Sequence, residues 1–441
     1  MTNTPPAVSV GVRGRIEAAR RLSKISNDGS FAGLVGNRHL PAEVERVATG
    51  LVGGVTRWRR WLDHLASSCY KGHYDDLEHA VKEILRIGTY DLAVVGTAPH
   101  AAVNQAVEAA RQEIRQGAAN LVNAVLRALD RKKPWLTAMS GDSTAELAVR
   151  WSHPDWLVER WLERFGPEDT RRLLEHNNSP PVFSVRVAGR RDEFELFLSE
   201  EHVPWEQSSF LDDYIRVERL QPVLRGGWIQ HGSCTVQDES AGLVVRLLDP
   251  KPGEQIVDAC AAPGGKTRYI AERMDGTGLL KAIDSNKARL EKLERVIVST
   301  PIQSIVTDFR DFASHNPGTA DRVLVDAPCT GLGVLASRAD LRWHRSLVDF
   351  ETLGPIQAGL LDAGAAVVKP DGVFVYSTCS IAPEENETQV RAFLDRHPEM
   401  QLESAAELLP KELVTQEGYF ASLPHRDHID GAFGARFRRL A

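Results

Sequence analysis

Asp258-Ala-Cys-Ala-Ala-Pro-Gly-Gly-Lys266-Thr267 is a glycine-rich turn that follows the apolar run Gln255-Ile-Val257 and leads into a segment of helical pattern. Strand, glycine turn and helix in that order are the usual seat of a cofactor in an α/β sheet. Two later stretches, Asp326-Ala-Pro-Cys329 and Ser377-Thr-Cys379, also end short β-like runs, and each presents one cysteine. Three strand ends are therefore expected to converge on one pocket. Working outward, apolar runs at 255–260, 278–284, 302–306, 321–325 and 372–377 alternate with helical segments. That order predicts a doubly wound, mostly parallel sheet of Rossmann-like type with ligands at the carboxyl ends of its strands. The run Phe433 to Phe437 is expected to add an edge strand.

Upstream the pattern changes. Residues 1–12 read as a disordered tail, and 13–133 as an all-helical domain, with apolar positions near a 3.6 spacing at Val44, Val47, Leu51, Val55, Trp58, Leu62 and Leu65. Further helices are expected over Leu77 to Tyr90, Asn104 to Ala110 and Asn120 to Leu129. Lys132-Lys133-Pro134 and Ser140-Gly-Asp-Ser143 break the periodicity, so 134–149 reads as a linker. A small α+β subdomain is expected over 150–236, with helices at Asp155 to Phe165, Glu168 to His176 and Glu193 to Glu201 and an alternating strand at Phe183 to Val187. The catalytic domain then occupies 237–441.

Length and composition set bounds on function. A chain of 441 residues exceeds one ordinary core. Nothing approaches the ~18 apolar residues of a membrane span, and the N-terminus lacks the charged and apolar regions of a secretory signal; a cytoplasmic location is expected. Five scattered cysteines, Cys69, Cys234, Cys260, Cys329 and Cys379, fit reduced thiols better than disulfides, and without close pairs they predict no metal site. The net charge of −7 conceals an asymmetry, because residues 1–133 hold 19 Lys and Arg against 13 Asp and Glu. A basic helical third is compatible with a local nucleic-acid patch. Arg57-Trp58-Arg59-Arg60-Trp61 interleaves cations with aromatics, as phosphate contact and base stacking require, although a core Trp on an amphipathic helix with a solvated basic face accounts for the same five residues.

The glycine turn narrows the cofactor. Gly264-Gly265 permits close backbone approach, and the following helix offers free N-H groups. A phosphate-binding P-loop needs glycine five positions before Gly265, where Cys260 stands, and the spacing of a dinucleotide fingerprint is missing too. Asp284 ends the second strand, placed to accept hydrogen bonds from ribose hydroxyls. A nucleoside without a phosphate tail fits, and S-adenosylmethionine is such a cofactor.

The cysteines narrow the reaction. Carbon 5 of cytosine is a poor nucleophile, and a thiolate adding at carbon 6 creates the enamine that attacks a methyl group. A base then removes the carbon 5 proton so that the thiol can leave. This chemistry requires an activated Cys, a proton acceptor and an acidic group near the base edge, and two Cys and an Asp stand at the strand ends. A single such Cys would more often be a buried core thiol.

With these motifs in hand, residues 150–441 resemble the catalytic region of the RsmB/Sun family of RNA cytosine-5 methyltransferases. The carriers are Asp258 to Thr267, Asp326-Ala-Pro-Cys-Thr-Gly331 and Tyr376-Ser-Thr-Cys-Ser-Ile-Ala-Pro-Glu-Glu-Asn386. Residues 13–133 are similar to the NusB-like RNA-binding domain of the RsmB type, most clearly at Leu51-Val-Gly-Gly-Val-Thr-Arg-Trp-Arg-Arg60. The resemblance implies that Cys379 attacks carbon 6 and Cys329 assists elimination and product release. It places Asp326 against the flipped cytosine and near the methyl donor, and brings Lys266 into the site from the turn. Cys260, Ala261, Ala262, Pro263, Gly264, Gly265, Lys266, Asp284, Asp308 and Asp326 fall on cofactor positions, with Asp308 near the adenine. Glu384-Glu385-Asn386 helps to hold the nucleophile's loop, although two Glu at a helix start also suit the helix dipole. The implied partner is 16S ribosomal RNA, unassembled or partly assembled into the small subunit; no oligomer is indicated.

Candidate RNA contacts are Arg57, Arg59, Arg60, Arg338 and Arg342. The stretch Leu335-Ala-Ser-Arg-Ala-Asp-Leu-Arg-Trp343 departs from the family's Arg-rich run with a proline, which puts its substrate contacts in question. Asp430-Gly-Ala-Phe-Gly-Ala-Arg436 lacks an aromatic often seen there. The same residues would serve methylation of transfer RNA, and a non-catalytic RNA-binding assembly factor is the alternative outside enzymes.

Overall fold

A computed structural model describes residues 9–28, 40–136, 141–294 and 302–441. The chain forms two compact units: one runs to Ser179 and also takes in Leu335–Arg345, and the other comprises Pro180–Val334 and Ser346–Ala441. Of the expected tail, residues 1–8 lie outside the described residues, and Val10 already begins a helix.

The first unit is helical: α1 (Val10–Asp28), α2 (Ala42–Ser67), α3 (His79–Tyr90), α4 (Pro99–Glu113), α5 (Gln116–Lys132), α6 (Thr144–Arg150) and α7 (Asp155–Asn178). The 3.6 spacing works as expected in α2, where Val44 is buried and Ala48, Leu51, Val55, Leu62 and Leu65 share one core with residues of α1, α3, α4 and α5. Trp58 and Trp61 pack partly against that core. The stretch expected as a linker contains α6, started by a capping box in which Ser143 Oγ accepts from Glu146 N and the Glu146 side chain returns to the Ser143 backbone. α7 breaks at Gly166-Pro167, where Gly166 takes φ 76°, so the two helices expected there are distinct. They pack with the helical unit.

The second unit begins with β1 (Phe183–Val187), α8 (Arg191–Glu200), β2 (Trp205–Gln207), β3 (Tyr214–Val217), α9 (Gln221–Arg225) and β4 (Cys234–Val236), whose strands pair antiparallel in the order β2-β3-β1-β4. The buried Arg186 of β1 pairs with Glu272 and lies 4.3 Å from the centre of the Tyr269 ring. Both partners are on the helix that follows the glycine turn, so the small sheet braces that helix.

The large sheet follows: α10 (Glu239–Leu248), β5 (Gln255–Ala259), α11 (Gly265–Arg273), β6 (Leu279–Asp284), α12 (Lys287–Glu294), β7 (Ile302–Val306), α13 (Phe309–His315), β8 (Ala320–Asp326), α14 (Leu341–His344, in the helical unit), α15 (Val348–Val367), β9 (Val368–Thr378), α16 (Glu387–Arg396), β10 (Met400–Glu403), β11 (Phe420–Ser422), α17 (Pro424–Asp427) and β12 (Ala432–Arg439). Its order is β10-β12-β9-β8-β5-β6-β7, with β5 to β9 parallel and β11 paired to β12. The central strands are apolar throughout because both faces are covered. Val323, Val325, Phe374 and Tyr376 enter the core on one face, and Leu324, Val373 and Val375 enter that on the other. The expected edge strand is corrected: β12 pairs with β9 on one side and β10 on the other, both antiparallel, and the edge is β10. Among the described residues no helix is long and apolar enough to cross a membrane.

Candidate active site

Strand order fixes where the site lies. The chain leaves β5 toward β6 on one side and reaches β8 on the other, a topological switch point, and ligands bind outside the carboxyl ends of strands at such a point. β5 ends at Ala259, β8 at Asp326 and β9 at Thr378, on three adjacent strands. The motifs expected to converge do so within the second unit.

Lys266, in the first turn of α11, donates from Nζ to Asp326 Oδ2 at 2.7 Å, and Ser377 Oγ donates to Asp326 Oδ1 at 2.8 Å. Burial opposes the Lys266 charge, but the Asp326 carboxylate outweighs it and holds the ammonium above its ordinary value. The two thiols meet: Cys329 Sγ lies 3.4 Å from Cys379 Sγ. Hydrogen bonding to Cys379, together with burial, pushes the Cys329 thiol well above its usual range, so Cys329 keeps its proton. Thr378 Oγ1 donates to Asn386 Oδ1 at 2.6 Å, and Asn386 Nδ2 returns to Ser380 O at 2.8 Å, which staples the Cys379 turn.

Beside this cluster the glycine turn forms a cradle. Gly264 takes φ 106°, and a Cβ there would stand 2.8 Å from Leu293 Cγ, so the turn requires glycine. Thr267 Oγ1 donates to Asp258 Oδ2 at 2.6 Å, while Asp258 Oδ1 is buried with no partner among the described residues. Asp284 accepts from Ala262 N and Asn286 N at 3.1 and 2.8 Å. Each of its oxygens keeps a further lone pair, so it both shapes the turn and remains an acceptor. Asp308 caps α13 through Arg310 N and pairs with the Arg310 side chain. Cys260 follows β5 on the same turn, and burial pushes its thiol up to about 12, which leaves it an inert wall. Glycines, Asp284 and the unpartnered Asp258 oxygen suit a polar nucleoside cofactor without phosphates.

Several contributors were not singled out from sequence. Ser377 orients Asp326, Thr267 holds Asp258, and Gln357 and Thr330 meet Glu385 behind Cys329. The three hydroxyl residues sat inside quoted motifs. Gln357 could have been noticed as a lone amide in the apolar run of α15.

The candidate RNA contacts fare differently. Arg342 is 0% exposed: Nη1 donates to Asn178 Oδ1 at 2.8 Å, Ser152 O at 3.2 Å and Arg57 O at 3.4 Å, and Nη2 to Asn177 O at 2.9 Å and Leu335 O at 3.3 Å. Both terminal nitrogens of its guanidinium are spent within the helical unit, which corrects its placement as a surface contact. Arg57 donates to Ala336 O at 2.7 Å, Arg60 to His153 O at 2.8 Å, and Arg59 lies 5.8 Å from the Trp343 ring centre. All three are half-buried, whereas Arg338 is exposed.

A doubly wound sheet with a glycine cradle and two facing thiols defines an S-adenosylmethionine-dependent methyltransferase. Comparison with known families agrees. Residues 245–438 match the model of the 16S rRNA methyltransferases RsmB/F, 13–131 the NusB family, and 153–224 the ferredoxin-like domain of the RsmF/B-like methyltransferases. A probable ribosomal RNA small subunit methyltransferase B of Bacillus subtilis is 33% identical over 372 residues, 81% of this chain and 83% of its own. The ribosomal RNA small subunit methyltransferase B of Cronobacter sakazakii is 33% identical over 87% of this chain and 88% of its own. A methyltransferase homologue from Pyrococcus horikoshii superposes with a TM-score of 0.57 at 26% identity, over 68% of this chain and 100% of that one. The chain belongs to the RsmB/F family of 16S rRNA methyltransferases.

Proposed function

We propose that this protein methylates carbon 5 of a cytidine in 16S ribosomal RNA, with Cys379 as nucleophile and Cys329 as the group that assists release. The observation that carries the reading is the thiol pair, 3.4 Å apart, next to the Lys266 and Asp326 ion pair. The turn from Cys260 to Lys266, with Asp284 and Asp308, would hold S-adenosylmethionine, which would supply an electrophilic methyl group. Cys329 retains its proton and can donate it toward Cys379, and a thiol acts as a nucleophile in its thiolate form. The Asp326 carboxylate is the acceptor for the exocyclic amine of a flipped cytosine, a pairing that carboxylates make with this base, and Lys266 is its ion-pair partner. The S-C6 bond formed by Cys379 activates carbon 5. After methyl transfer a base, with solvent water able to serve, takes the carbon 5 proton, the C-H electron pair restores the C5-C6 double bond, the S-C6 pair leaves on the Cys379 sulfur, and the Cys329 thiol assists that departure by donating a hydrogen bond to it.

The test uses purified protein, labelled methyl donor and unmodified 16S transcript. Methyl transfer to cytidine is expected. Cys379→Ala should abolish it, and Cys329→Ala should accumulate a covalent protein-RNA adduct. Full activity in Cys379→Ala would sink the mechanism.

A further inference from the structure

We infer that Gln357 is a positioning residue for Cys329: it sets the loop that carries the second thiol and so governs release of the methylated RNA, not formation of the bond to it. The inference rests on the two-cysteine reading above. Gln357 is completely buried on α15, 28 residues from Cys329 and 22 from Cys379 in sequence. Its Nε2 donates to Pro328 O at 3.0 Å and to Glu385 Oε1 at 3.1 Å. Glu385, also buried, accepts from Thr330 N at 2.8 Å on the same oxygen and from Thr330 Oγ1 on the other. Residues 328 and 330, on either side of Cys329, are thus tied to one amide and carboxylate pair.

Cys379 is held by a different set. Its neighbours Thr378 and Ser380 are bonded to Asn386, and its own carbonyl accepts from Gly333 N at 3.0 Å. The two clamps touch where Thr330 Oγ1 lies 3.2 Å from Ser380 Oγ. This division is what allows one thiol to be misplaced while the other stays in register.

The orientation of the Gln357 amide is also decided. Its NH2 faces two acceptors, whereas the opposite orientation would press Oε1 against a carbonyl and a carboxylate. Oε1 has no partner among the described residues, so one acceptor is left unsatisfied to keep both donations. A purely packing role in an apolar helix would be filled by Leu or Met without that cost.

Gln357→Met preserves volume and removes both donations. The first methyl transfer in single turnover is expected to stay within about threefold of the parent. Multiple turnover should fall at least about tenfold, with a denaturant-resistant protein-RNA adduct accumulating, because a displaced Cys329 assists elimination poorly. Parallel loss of first transfer and steady-state turnover, or no change in either, would overturn the inference. Cys329→Ala is run alongside. If it forms no adduct, the two-cysteine reading itself fails, whereas an adduct in Cys329→Ala without one in Gln357→Met rejects only the role of Gln357. Should Gln357→Met lack the parent's melting transition, Gln357→Glu carries the test. It removes both donations and sets two carboxylates against each other, so the adduct should build up at pH 8. A Gln357→Glu enzyme that turns over normally at pH 8 overturns the inference.

Discussion

Lys266 Nζ stands 2.7 Å from Asp326 Oδ2, joining the first turn of the helix after the glycine turn to the carboxyl end of the neighbouring strand. The pair is half-sheltered, and Ser377 completes the hydrogen bonding of the carboxylate. Lys266→Met should leave Asp326 without its charge partner and lower the single-turnover methylation rate about 100-fold, at the low end of what a positioned acid or base contributes. Cofactor affinity by calorimetry should change far less, because Gly264, Gly265 and Asp284 remain. A rate within twofold of the parent would show that the ion pair is architectural.

Gly333 and Gly431 approach each other so closely that neither can carry a side chain. Gly431 N donates to Gly333 O at 2.8 Å, and a Cβ on Gly333 would stand 2.1 Å from Gly431 O. The obstacle is backbone, which cannot swing aside as a side chain would. Because Gly333 N also holds the Cys379 carbonyl, Gly333→Ala should cost about 1–3 kcal/mol or more in urea unfolding and remove activity in the fraction that folds. Unchanged stability would mean that the two loops separate readily.

The difference between what was legible and what was not has a physical basis. The β5, β8 and β9 motifs could be read because a parallel sheet makes strand ends neighbours once the alternation is recognised, and their residue types have few other uses. The doubling of β12 between β9 and β10 was not legible, since pairing partners of an antiparallel strand are set by tertiary contacts that its own sequence does not encode. Gln357 acts on Cys329 through space, and nothing in its local pattern reports the carboxylate it meets. Arg342 misled for the opposite reason: an Arg beside a Trp has the composition of an RNA contact, yet here its five donations close the helical unit around residues 335–345.

Asp258 provides a pH test. Burial, with Thr267 Oγ1 acting against it, raises its carboxyl to about 7. Between the ordinary carboxylate value and 7, the folded protein therefore holds a proton that the unfolded chain has released. The contribution of this group is fully present below about pH 4, declines as pH rises through 7 and is flat above, a total of roughly 4 kcal/mol. Asp258→Asn keeps an acceptor for Thr267 and cannot ionise. Relative to the parent without cofactor, it should gain stability steadily from pH 5 to pH 8 in urea titrations. A difference between the two proteins that is constant with pH would show that Asp258 does not titrate in that range.

Arg342 separates a structural cation from an RNA-binding one. Its donations to four carbonyls and the Asn178 amide oxygen lie wholly inside the helical unit, where burial pulls its pKa down and Arg57 adds repulsion. A charge kept there against both effects is held by its acceptors, so truncation leaves several buried carbonyls unpaired. Arg342→Ala should destabilise the protein by about 3 kcal/mol, since each buried group left unsatisfied costs roughly 1–3 kcal/mol. Arg342→Lys should recover little of the loss, because one ammonium cannot reproduce the planar fork that spans acceptors from both α7 and the 335–345 segment. RNA affinity provides the second measurement. Losing a phosphate contact would reduce the slope of log affinity against log salt by about one. For Arg342→Lys, measured at a temperature where it remains folded, the slope should match the parent, whereas replacing the exposed Arg338 tests a position from which RNA can be reached. A reduced slope in Arg342→Lys would return Arg342 to the RNA interface and reject its assignment as the cation that closes the helical unit.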